Sequence, residues 1–140
     1  MTVQSYKLGP GTLTLGSAPL DVSAQVTAMK VEWSENVTSG EDLDLLSGDS
    51  LLGDQDATYR ANLAGNLLQD IAAAGVVDWS WTNKGTEQAF KFVPSTSEGR
   101  QITGVLVPVP ITVGGDVKTR PRSDITWRIV GDPDLAALVA

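Results

Sequence analysis

The sequence contains no cysteine and no histidine. Without cysteine there is no disulfide and no thiolate metal site, so the fold does not depend on redox compartment. Without histidine the chain lacks the commonest general acid/base near neutral pH and the commonest metal ligand. Carboxylates, hydroxyls, lysines and tyrosines remain for chemistry. Long apolar runs are also missing, and nothing approaches the ~20 residues of a membrane helix. Met1 to Leu8 has no basic segment followed by an apolar one, so no signal peptide is expected there. Basic residues are scarce: ten lysines and arginines stand against seventeen acids, for a formal net charge of −7. A generic nucleic-acid binder shows the reverse balance. Acidic balance by itself favours solubility, and it also suits a surface that passes DNA without holding it.

What is present fits a globular β protein. The 140 residues suit one domain, 1–140, long enough to bury a core without staples. Glycines and prolines divide the chain into short apolar runs, which reads as strands and turns. Thr12 to Leu15 alternates threonine and leucine. Val22 to Trp33 alternates too, with Val22, Ala24, Val26 and Ala28 on one face, until the phase flips at Met29. Such a flip marks a bulge, a bend or a strand buried on both faces. Ala57 to Leu63 alternates again. Leu67, Leu68, Ile71 and Ala74 recur at helical spacing, with Asn66 as N-cap and Gly75 just past the end, predicting one helix over about 66–74. Val76 to Thr82 and Thr86 to Val93 flank Asn83-Lys84-Gly85 as a hairpin. The apolar run from Ile102 to Val113 carries Pro108 and Pro110, which places part of it at an edge or bulge. Asp124 to Val130 is the last strand, with Ile125, Trp127 and Ile129 inward, and Pro133 to Ala140 is a short tail. The fold class expected is mainly β: an antiparallel β-sandwich or partial barrel with one flanking helix and a long acidic loop over about 36–56.

That acidic stretch holds six acids, three glycines and no base, with leucines threaded through it. Asp42, Asp44, Asp49 and Asp54 are hard oxygen ligands, but their spacing is not that of a twelve-residue calcium loop. An interaction loop is preferred, and no metal or cofactor is expected. Paired carboxylates would make a glycosidase, yet among seventeen acids no pair is singled out. Trp33, Trp79, Trp81 and Trp127 would suit a stacking platform, but each lies in phase with aliphatic neighbours, which favours the core.

The order of features resembles the major tail proteins of long-tailed bacteriophages. The resemblance rests on Tyr6-Lys7-Leu8-Gly9-Pro10-Gly11-Thr12-Leu13, the acidic stretch from Glu41-Asp42 to Gly48-Asp49, Leu63-Ala64-Gly65, Gln69-Asp70 and Asp78-Trp79-Ser80-Trp81. It continues with Phe90-Lys91-Phe92-Val93-Pro94, Gly114-Gly115-Asp116-Val117 and Asp124-Ile125-Thr126-Trp127. It spans nearly the whole chain. It implies a tail-tube domain similar to the tube proteins of contractile tails and type VI secretion systems. Six subunits would form a ring, and stacked rings a hollow tube for phage DNA. It also implies a non-enzymatic virion subunit made in the host cytoplasm. The partners would be further copies of the chain, a tape measure protein and terminator or tip proteins, with DNA passing unbound and no membrane.

On that plan Ser23, Gln25, Thr27, Thr58, Arg60 and Asn62 are the candidates for the lumen face. Two charge clusters are candidates for contact between subunits: Glu41, Asp42, Asp44, Asp49 and Asp54 on one side, Lys118, Arg120 and Arg122 on the other. They would pair either within one subunit or across two. Two other readings stay open: a monomeric β-sandwich module that binds carbohydrate or protein, and a carboxylate-based hydrolase.

Overall fold

The computed structural model describes residues 4–138. Met1 to Val3 and the last two residues of the expected tail lie outside them. Seven strands form one antiparallel sheet in the order β2-β1-β7-β8-β9-β6-β3. They are β1 (Thr12–Leu15), β2 (Leu20–Asp21), β3 (Val26–Ser39), β6 (Gln55–Leu68), β7 (Gln88–Val93), β8 (Arg100–Val107) and β9 (Arg122–Ala137). A two-stranded ribbon, β4 (Leu43–Asp44) with β5 (Ser50–Leu51), sits between β3 and β6. The helix α1 spans Val76–Thr82. The mainly β class with a single α-helix is as expected, and it takes the partial-barrel form.

The curl follows from the core. Leu13 and Leu15 of β1 share one buried cluster with Phe90 and Phe92 of β7, Leu106 of β8, Trp127 and Ile129 of β9, Leu63 of β6 and Met29 of β3. Strands β1 and β3 are five steps apart in the sheet, about 24 Å if it were flat. Only a sheet that folds over brings their side chains into one cluster. Leucine of the Thr-Leu repeat and every second residue of Ile125-Thr126-Trp127-Arg128-Ile129 point inward, as period two requires.

Four expectations change. The helix lies at 76–82, not at about 66–74. Leu67 is fully buried and pairs with Ser123, so the alternation Ala61, Leu63, Gly65, Leu67 carries β6 through the presumed helix start. Val76, Val77 and Ser80 are the buried residues of α1, an i, i+1, i+4 pattern that suits a helix and not the expected strand. Trp79 packs on Trp127 with ring centroids 5.9 Å apart, while Trp81 is 53% exposed.

The acidic loop is a β-arm. Strands β3 and β6 stay paired through Ser39↔Gln55, and Gly40 N–H donates to the Asp54 carbonyl at the neck. Ser23–Gln25 is a 3-10 turn and not part of a strand, and the phase flip is a bulge between Val26 and Ala28. Gly65 makes that bulge possible, because a Cβ there would collide with the Ala28 carbonyl. Finally, β9 continues through the expected tail to Ala137, past an irregularity in its pairing with β8 at which Gly131 has φ 70°.

Candidate functional site: surfaces for assembly

Three surfaces are left after the core is built. The first is the polar face of β3, β6 and β9. Register places Glu32, Asn62 and Arg128 in one row, and Lys30, Ala64 and Thr126 in the next. Thr58 lies opposite Asn36, and Arg60 opposite Ser34, on this face. Thr27 joins it from the bulge: its hydroxyl donates to Asn66 Oδ1 at 2.7 Å, and Asn66 Nδ2 donates to Asp124 at 2.8 Å. Four of the six lumen candidates, Thr27, Thr58, Arg60 and Asn62, are thus brought together. Ser23 and Gln25 are not, because their 3-10 turn has no strand alternation. Ser23 is tied inward instead: its Oγ accepts the Leu13 N–H at 2.9 Å and donates to Asp21. That hydroxyl, and then the Ser23 N–H, hold the Asp21 carboxyl below its ordinary value. The polar face is not acidic; Lys30, Arg60, Arg122 and Arg128 interleave with Glu32, Asp56 and Asp124.

The second surface is the arm. Its two strands are longer than the body they cover, so the core-side face runs on into solvent. Trp33, Val37 and Tyr59 lie there, each more than half exposed. Beyond the neck, Leu46 and Leu52 are exposed at the tip. The acids bind their own backbone and hydroxyls: Gly53 N–H donates to Asp42 at 2.7 Å, Ser50 to Asp44, and Ser47 to Asp49. Among the described residues the one ion pair is Lys30–Glu32 at 3.0 Å, so no arm acid meets Lys118, Arg120 or Arg122. Nor do three or more carboxylates converge as a metal site among the described residues.

The third surface is at the opposite end of the sheet, where Leu68 pairs with Arg122. Gln69 clamps the long β8–β9 connection there. Its Nε2 donates to Ser123 Oγ at 2.7 Å and to the Gly114 carbonyl at 3.1 Å, and its Oε1 accepts the Gly114 N–H at 3.0 Å. Trp81 Nε1 donates to the Ile111 carbonyl at 2.8 Å. This leaves Ile71, Trp81, Val113 and Val117 exposed beside the basic residues. A shallow recess of about 230 Å³ is lined by Ile71, Val77, Asp78, Trp81 and Val113.

Sequence reasoning found the charged residues and missed the exposed aromatics. The usable signal was length: the same-face residues Met29, Val31, Trp33 and, past Glu35, Val37 extend beyond any core a chain of this size would form. With Trp33 on the arm and Trp81 at the other end, the exposed tryptophans make no single stacking platform. Among the described residues no helix is long and apolar enough to cross a membrane.

No family model matches the chain, and no curated protein matches it in sequence. Solved structures do. One similar chain belongs to the virion of a native gene transfer agent particle, with a TM-score of 0.62 and 14% identity over 91% of this chain and 95% of that one. Another belongs to the tail of an empty particle of that kind, refined helically with C6 symmetry, with a TM-score of 0.61 and 13% identity over 89% and 96%. At such identities the likeness is one of fold, and at that level it bears out the resemblance to tail tube proteins: this chain has the fold of a protein in a gene transfer agent's tail.

Proposed function

We propose that the chain is a structural, non-catalytic virion subunit of a phage-like tail, a single tail-tube domain over 1–140. Its copies close into hexameric rings that stack as a hollow tube for DNA. The observation that carries this is the arm: Trp33, Val37 and Tyr59 continue the core face where the subunit has no core left to cover them. Covering the exposed half of Trp33 removes on the order of 100 Å² from water, about 2.5 kcal/mol. The long edge strand β3 offers unpaired backbone groups beside that face. A second copy answers both needs, and a closed ring of copies removes the edge.

Sixfold closure is supported by the C6 symmetry of the similar tail. The polar face of β3, β6 and β9 is the lumen wall on this reading, with Thr27, Thr58, Arg60 and Asn62 toward DNA. Its four bases are interleaved with three acids, so no continuous basic track grips phosphates. Tape measure, terminator and tip proteins follow as partners from the tail resemblance, as does a place in the virion tail after synthesis in the host cytoplasm. Electron microscopy of concentrated protein tests the proposal. Sixfold rings or tubes are expected. A monodisperse monomer at every concentration and salt would sink it.

A further inference from the structure

Strand β6 runs from the neck of the arm, at Gln55, to the basic end, at Leu68. Fourteen residues at about 3.3 Å each set these ends on the order of 45 Å apart. One end offers exposed Leu45, Leu46 and Leu52 within a run of acids. The other offers exposed Ile71, Trp81, Val113 and Val117 beside Lys118, Arg120 and Arg122. Each is an apolar patch with a charged rim, and the rims have opposite sign. The length of β6 keeps them from meeting within one subunit.

We propose that the arm tip of one copy seats on the Ile71–Trp81–Val113 patch of the copy in the next ring, with its acids facing the partner's Lys118, Arg120 and Arg122. This rests on the tail-tube reading and specifies its axial contact. The occupant is a second copy because the chain itself carries both complementary surfaces. Tip on tip and end on end set like charges together, which rejects the two head-to-head arrangements. Tip on end is heterologous and does not close, so it propagates as a filament. The leucines supply contact area and the charges select orientation and rate.

A charge-exchange experiment tests this. One variant carries Glu41→Lys, Asp44→Lys, Asp49→Lys and Asp54→Lys, which leaves two acids against four lysines in the tip, so both its ends are basic. The other carries Lys118→Glu, Arg120→Glu and Arg122→Glu, so both its ends are acidic. All seven positions are exposed, and circular dichroism checks that each variant is folded. At low salt each variant alone should elongate about tenfold more slowly than wild type or worse, by light scattering and microscopy. An equimolar mixture should recover tubes, because every junction then pairs unlike ends. Wild-type elongation by either variant alone overturns the inference and leaves the tube reading standing. So does a mixture of folded variants that forms rings and no tubes. Failure of the wild-type chain to form rings or tubes overturns the tube reading, and this inference with it.

Discussion

At the scale of the residue, Ser23 shows how a side chain placed by pattern acquires another task. Its hydroxyl satisfies the N–H of Leu13 and binds the Asp21 carboxylate, so it joins β1, β2 and the turn into β3. A carboxyl depressed in the folded state stabilises that state above its unfolded pKa, near 3.8, and the contribution is lost as pH falls through the lower folded value. Ser23→Ala should move the Asp21 titration up toward 3.8, read by NMR. It should also cost about 1 kcal/mol, since the part-buried Leu13 N–H loses its acceptor. An unchanged Asp21 titration would rule out the hydroxyl as the cause. Gln69 is the comparable residue at the other end. Gln69→Ala should speed hydrogen exchange at the Gly114 amide and lower stability by about 1–2 kcal/mol; unchanged exchange would mean that the β8–β9 connection is held by something else.

Among the elements, the arm carries two predictions. Gly53 lies so close to Gly40 that a Cβ would collide with the Gly40 carbonyl. Gly53→Ala should displace the tip while the body melts within a few degrees of wild type, and tube growth should fall. Growth at the normal rate would show that the geometry of the neck is immaterial. Trp33→Asp with Tyr59→Asp should leave the isolated subunit folded, because both side chains are more than half exposed, and should abolish rings in microscopy. Intact rings would show that the arm's apolar face is not buried on assembly.

The elements also show what was legible. Period-two runs such as Ile125-Thr126-Trp127 were readable because burial on one side writes itself into the sequence. The helix was misplaced because Leu67, Leu68 and Ile71 satisfy two periods at once, and pairing with β9 decides between them. The arm read as a loop because its strands pair without burying a face in their own subunit, so glycines and acids hide the ladder. Of the assembly surfaces, charge was legible and exposure was not: whether Trp33 or Trp81 reaches solvent depends on where the body ends.

For the whole molecule, the lack of cysteine becomes a tool. A single Asn62→Cys should react with a maleimide on a bulky carrier in dispersed subunits and be shielded in tubes. Thr58→Cys should behave alike. Full labelling of both in assembled tubes would move this face to the outer wall. Charge is distributed unevenly over the same length. Six of the seventeen acids lie in 36–56 with no base among them, and three of the ten bases lie in 118–122 with no acid among them, so the molecule has an acidic tip and a basic patch at its far end. It is an electric dipole laid along β6. Dipoles stacked in one direction meet tip to patch at every junction, as cells in series do, and only the terminal faces keep an unmatched end. One end of a finished tube would present acids and the other bases. On the proposed reading, proteins that begin and close such a tube would face surfaces of opposite polarity, and each could recognise its own end by sign alone.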